Sequence, residues 1–209
     1  MTFIAVISME DCAILAADRE TFAIYSDGSS ERAGATARKI TDTASGYITA
    51  SGWEALIEPV KDRFKREAPV DVERMLSIIG KEQAAFELRD PGLAAAWIPK
   101  STWKLSLSTS RGVIAAYYDY EANGIAALAP GFAMMTYPSD ITIEEREYVS
   151  NLFPQGHFLA PSEQAVSDAI HRVLSAVTYL RGRGRSVSQE VDFAIHWGDE
   201  KSMFERVAH

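Results

Sequence analysis

Apolar residues crowd the start of the chain into two short runs, 3–8 (FIAVIS) and 12–18 (CAILAAD), parted by Met9-Glu10-Asp11. Their β-branched and small apolar content, with a turn between, predicts a β-hairpin. Neither run alternates strictly, so both faces of this hairpin are expected to be covered. Residues 26–36 (SDGSSERAGAT) are small, polar and glycine-bearing, and read as a loop. Arg38-Lys39-Ile40-Thr41 and Tyr47-Ile48-Thr49-Ala50 flank a turn at Ala44-Ser45-Gly46 and predict a second hairpin. From Trp53 to Glu67 the period changes. Apolar residues at 53, 56, 57, 60 and 64 draw a helical stripe, with Pro59 as a local irregularity. Pro69-Val70-Asp71 opens a second helix that runs to the neighbourhood of Leu88, and Asp90-Pro91-Gly92 ends it.

Strands return with Thr102 to Ser108 (TWKLSLS), which alternates cleanly, and with Val113 to Tyr118. Asn123-Gly124 is a strong hairpin turn into Ile125-Ala126-Ala127-Leu128, and an extended piece is expected between Phe132 and Tyr137. Ile141 to Phe153 reads as a short helix. Pro161-Ser162-Glu163 starts a long one to about Leu180, and Arg181 to Arg185 (RGRGR) is a polar break. Val191 to Ile195 alternates as a final strand. Strands grouped with strands and helices with helices argue against a doubly wound parallel sheet. The expectation is an α+β fold of two antiparallel sheets with helices on the outer faces. No internal repeat, low-complexity tract or linker interrupts the 209 residues, so one domain, 1–209, is expected.

Composition narrows the function. Hydrophobic residues make up 47% and charged residues 24%, which fits a folded globular chain. The 21 basic and 29 acidic residues leave a net charge of −8, a poor basis for gripping a phosphate backbone, so nucleic acid is not expected as a partner. No run approaches the ~18 apolar residues of a membrane span. The apolar start lacks a basic leader and meets Glu10-Asp11 early, so a cytoplasmic location is expected. A single cysteine, Cys12, and four scattered histidines offer neither a disulfide framework nor metal-ligand spacing, so no cofactor or metal is expected. His171, on an amphipathic helix, is read as structural, Tyr117-Tyr118-Asp119-Tyr120 as packing, and Arg181, Arg183 and Arg185 as a solvated helix end.

Three residues carry the candidate chemistry. Thr2 follows Met1, Asp18 ends the second apolar run 16 residues later, and Lys39 opens the second hairpin. A threonine hydroxyl is a weak nucleophile that needs a nearby base. Removal of Met1 would leave an α-amine of pKa about 7.7–8.0 on Thr2, able to take the hydroxyl proton near neutral pH without a histidine. A lysine beside it would lower the amine's affinity for protons, and an aspartate would hold that lysine. Backbone N–H groups around Ser51-Gly52 could receive an oxyanion, glycine allowing close approach.

With Ala50-Ser51-Gly52-Trp53 as a small-residue turn before a helix, and the closing helix and strand at 162–180 and 191–195, this pattern resembles the proteasome β-subunit family, including its bacterial homologues. The resemblance spans nearly the whole chain. It implies a four-layer αββα sandwich of the N-terminal nucleophile (Ntn) hydrolase kind. Thr2, Asp18 and Lys39 would be catalytic, and Ser51 and Gly52 would supply the oxyanion site. It also implies a homo-oligomeric ring or double ring enclosing the sites, unfolded polypeptide as substrate, and a separate ATPase unfoldase, since no GxxxxGK[ST] occurs in this chain. Supporting serines would fall at Ser139 and at Ser186 or Ser188. Gly184 stands where the family carries an aspartate, and the glycines expected around Ser139 are missing. Two other readings share the fold: a ring-forming scaffold without turnover, and an amidohydrolase acting on a small amide.

Overall fold

The structure, a computed structural model, describes residues 2–24 and 30–209. The strands are β1 (Ile4–Met9), β2 (Cys12–Asp18), β3 (Glu20–Ile24), β4 (Ser30–Thr36), β5 (Ile40–Thr43), β6 (Gly46–Ser51), β7 (Thr102–Thr109), β8 (Gly112–Asp119), β9 (Gly124–Leu128), β10 (Ala133–Thr136), β11 (Glu190–Trp197) and β12 (Glu200–Val207). The helices are α1 (Glu54–Glu67), α2 (Val72–Arg89), α3 (Pro91–Trp97), α4 (Ile143–Asn151) and α5 (Glu163–Gly182), with a 3-10 turn at Ile98–Lys100.

Among the described residues the strands form two five-stranded antiparallel sheets, β10-β1-β2-β11-β12 and β5-β6-β7-β8-β9, and a two-stranded ribbon, β3-β4. The result is an α+β sandwich. The expected first hairpin pairs Ile4 with Ala17 and Met9 with Cys12, and every residue of both strands is buried. Phe3, Ala5 and Ile7 pack with Val173, Ala176 and Val177 of α5, while Ile4 and Val6 pack with Tyr47, Val113 and Ala115 of the second sheet. That two-sided burial is why the run is apolar without alternating. On the second sheet, Ile48, Trp103 and Leu105 pack with Leu56, Val60 and Phe64 of α1 and Ile78 and Ile79 of α2. Polar links also join the sheets: Asp11 Oδ1 accepts from Val113 N at 2.8 Å, and the His196 ring meets Ser106 Oγ at 3.1 Å and Ser108 Oγ at 3.0 Å.

Helix ends follow their signals. Asp71 caps α2 through Arg74 N, Ser162 caps α5 through Ala165 N, and Thr142 with Glu145 forms a capping box on α4. The structure departs from the sequence reading in five places, the first being the strand β3 at Glu20–Ile24, which the reading left unassigned. Residues 30–36 are a strand, β4, which among the described residues pairs only with β3; the ribbon stands outside both five-stranded sheets, so no apolar run announces it. Residues 26–29 of the expected loop lie outside the described residues. Asp90-Pro91-Gly92 ends α2 but also starts α3: Asp90 N donates to Phe86 O, and its carboxylate accepts from Leu93 N. β12 follows the strand expected to be last, as a largely exposed edge in register with β11. The arginine run is not a purely solvated end, since Arg185 grips the buried carboxylate of Glu145 at 2.8–3.0 Å. No helix among the described residues is long and apolar enough to cross a membrane.

The alternation of β7 splits between helices and the opposite sheet, which buries a charge. Lys104 is 2% exposed, and its ammonium donates to the Thr136 hydroxyl on β10. Burial pushes its pKa from the ordinary 10.5 down to about 8. The folded value lies below the unfolded one, so below pH 8 both states are charged and the fold bears the full cost of burying the cation. Stability then rises between about pH 8 and 10.5. Lys104→Met should therefore stabilise the fold at pH 7 by about 2–3 kcal/mol, with the advantage vanishing toward pH 10.5. Urea unfolding at both pH values checks this; an unchanged midpoint at pH 7 would contradict it.

Candidate active site

Thr2, Asp18 and Lys39 meet at one end of the first hairpin. Phe3 N donates to Asp18 Oδ1 at 2.9 Å and Asp18 N to Phe3 O at 3.1 Å, which places Thr2 over the carboxylate. The Thr2 hydroxyl donates to Asp18 Oδ1 and accepts from the Lys39 ammonium. Lys39 Nζ also lies 3.3 Å from Asp18 Oδ1 and donates to the Glu20 carbonyl. The other oxygen, Oδ2, accepts from Glu20 N at 3.0 Å and Ser188 N at 3.2 Å. Thr2 is 5% exposed and Asp18 fully buried.

Burial dominates the titration of Lys39 and lowers its pKa below the ordinary 10.5; Asp18 works in the opposite direction, and Lys61 on α1 adds a smaller depression. Among the expected site residues, Ser51 and Gly52 line the same pocket as Thr2 and Lys39, a cavity of about 390 Å³. Gly52 has φ +150°, and a Cβ there would stand 2.2 Å from Ser101 Oγ, so the turn requires glycine. The hydroxyls of Ser51 and Thr49 are buried with no hydrogen-bond partner among the described residues.

The three supporting serines separate. Ser188 touches the site: its N–H serves Asp18, and its hydroxyl accepts from Arg19 N at 3.0 Å and donates to Glu190 O at 2.7 Å. Ser186 bonds Asp140 instead, through N at 3.1 Å and Oγ at 3.0 Å. Ser139 is exposed in the turn between β10 and α4, outside the pocket lining. Met1, whose removal the sequence reading requires, lies outside the described residues.

Several contributors escaped the sequence reading. Arg19, beside Asp18, pairs with buried Asp192 on β11 and with Glu205 at 2.7 Å on β12. Trp97, at the end of the unforeseen helix α3, joins Trp53 with ring centroids 5.4 Å apart in the pocket wall. Glu54 and Glu58 line the wall from α1, one turn apart. The Asp-Pro start of α3 was the available signal for Trp97; nothing local points to Asp192.

A solved structure of an Anbu (Gly-1) mutant from Hyphomicrobium sp. strain MC1 is similar to this chain with a TM-score of 0.69 and 12% identity. The match covers 100% of this chain and 87% of that one. At this identity the likeness is one of fold. No protein-family model and no curated protein matches the sequence.

Asp18 is a buried anion that holds the half-buried Lys39, so the two charges should be coupled. Asp18→Asn alone should destabilise the fold by about 3 kcal/mol, because it leaves the lysine's charge without its anion. In combination with Lys39→Met the loss should fall short of the sum of the single losses by about 1 kcal/mol or more. A double-mutant cycle in urea checks this, and strict additivity would rule the coupling out.

Proposed function

We propose that the chain is a threonine-type peptidase of the Ntn-hydrolase kind, a single domain on a four-layer αββα scaffold. Thr2 would act as nucleophile once Met1 is removed. The observation that carries this reading is the Thr2 hydroxyl in contact with both Lys39 and Asp18 at the wall of a cavity. The freed α-amine takes the proton from Thr2 Oγ1 as that oxygen attacks the carbonyl carbon of a peptide bond. Lys39 keeps the amine's proton affinity low, and Asp18 keeps Lys39 in place. N–H groups at Ser51 and Gly52 donate hydrogen bonds to the carbonyl oxygen as it becomes negative. Collapse of the intermediate expels the amine product, which takes back the proton and leaves an ester on Thr2 that water hydrolyses. Unfolded polypeptide is the substrate, and a homo-oligomeric ring, fed by a separate ATPase, would confine the chemistry.

A peptide epoxyketone, which reacts with hydroxyl and free amine together, tests the reading. Intact mass should show loss of Met1 and one added probe, with no addition to Thr2→Ala or Lys39→Ala. Labelling that persists in Thr2→Ala would place the nucleophile elsewhere, and retention of Met1 would favour a scaffold without turnover. The rate should rise with pH as the amine deprotonates, at a pH below the ordinary 7.7–8.0 because of Lys39 beside it. It should fall again on the alkaline side before 10.5, because burial makes Lys39 lose its charge early.

A further inference from the structure

We infer that the outer edge of β12 is a two-fold interface, where a second copy of this chain adds its own β12 antiparallel to the first, centred on Met203. The inference is independent of the peptidase reading. β12 ends one side of the first sheet and, among the described residues, pairs only with β11. Across that pair Ala208 N donates to Gln189 O at 2.9 Å. Main-chain groups alternate in direction along a strand, so the even-numbered residues of β12 serve β11. The odd-numbered ones, Lys201, Met203, Glu205 and Val207, then aim N–H and C=O outward. Arg206 Nη1 reaches the Glu205 carbonyl at 3.1 Å, as an outward carbonyl allows. A mostly exposed strand of eight residues with such an edge is open to pairing with another chain.

Symmetry and charge select both the occupant and the register. Residues that face each other across a two-fold axis must both point outward or both inward, so the axis passes beside a residue and never between two. Of the axes this leaves along β12, only the one at Met203 sets unlike charges of the strand opposite each other: Glu200 against Arg206, and Lys201 against Glu205. Lys201 and Glu205 are already engaged within the chain, by Asp42 and by Arg19 at 2.7 Å. Glu200 and Arg206 are exposed and have no ion pair among the described residues; Arg206 touches only its own strand, over the Phe204 ring and at Glu205 O. Symmetry makes their pair twice, in the non-hydrogen-bonded positions where cross-strand side chains stand closest. The charges thus discourage a foreign strand and admit this one. The same face leaves apolar surface to cover. α5 and the β11–β12 hairpin line a groove of about 540 Å³ with half-buried Ile170, Leu174, Ile195 and Trp197, and Ser202 belongs to that lining. The Met203 register sets Phe204 of the second copy opposite Ser202. Such a contact is isologous, unlike the head-to-tail contacts that close a ring.

Sedimentation velocity on the full chain between about 1 and 100 μM should show a monomer–dimer equilibrium. Glu200→Arg or Arg206→Glu alone sets like charges opposite each other twice and should weaken the dimer about ten-fold; the two together should restore it to within about three-fold. Met203→Pro removes an outward N–H at the axis without taking a donor from β11, and should abolish the dimer while circular dichroism stays native. Hydrogen exchange at rising concentration should protect the outward amides of Met203 and Glu205 and leave those of Ser202 and Phe204 unchanged. A chain that stays monomeric over that range, a double swap that fails to recover, or new protection at the even-numbered amides would overturn the inference. So would an assembly indifferent to all these variants, which would place its contacts at β10 or in a ring instead.

Discussion

The carboxylate of Asp18 is the group on which the arrangement depends. It is fully buried, and a carboxylate in that position is tolerated only when both oxygens are met by donors. Oδ1 takes the Thr2 hydroxyl, Phe3 N and Lys39 Nζ; Oδ2 takes Glu20 N and Ser188 N. Those donors come from the start of β1, the start of β3, the approach to β5 and the approach to β11. One side chain thus ties four segments that are distant in sequence. It also decides where Thr2 can sit. Folding and candidate chemistry draw on a single hydrogen-bond network, whose members act together rather than one by one.

The readable parts of the fold were those whose burial is signalled locally. β1 and β2 are apolar on both faces because one face meets α5 and the other meets the second sheet, and continuous apolar runs report that directly. α1, α2, α4 and α5 carry stripes or caps of their own. The elements that escaped are held by partners instead of by pattern. β12 reads EKSMFERV and is mostly exposed; its register with β11 makes it a strand. β4 pairs only with β3. α3 was hidden because Asp90 serves two helices at once, and a stop signal for one masks a start signal for the next.

At the candidate site, the meeting of Thr2, Asp18 and Lys39 could be expected because strand ends and a hairpin start fix their spacing in the chain. Of the expected supporting serines, Ser188 alone reaches the trio. Ser188 reaches Asp18 through its main-chain N–H, which no side-chain pattern encodes. Ser186 lies two residues away and serves Asp140 instead, a difference of geometry that composition cannot show. Ser139 sits at the surface. Trp97 enters the pocket only because α3 turns back toward Trp53. The split follows a rule: first contacts made by hairpins can be read from sequence, while second contacts made by long returns need coordinates.

Charge is organised on two scales that work against each other. The chain as a whole carries −8, which repels acidic partners at long range and is screened within about 8 Å at physiological salt. Around Thr2 the order is reversed. Lys39 meets Asp18 and puts positive charge at the hydroxyl, and Arg19 and Arg38 gather at buried Asp192. Glu54 and Glu58 line the same pocket from α1. A carbonyl whose oxygen becomes negative benefits from the first arrangement. The acidic pair is tempered from its own helix, since Lys61 holds Glu58 at 2.7 Å, while the cations beside Thr2 are held by carboxylates of β2 and β11; each set of charges is fixed by partners on elements of the two sheets or of α1 and does not depend on the other.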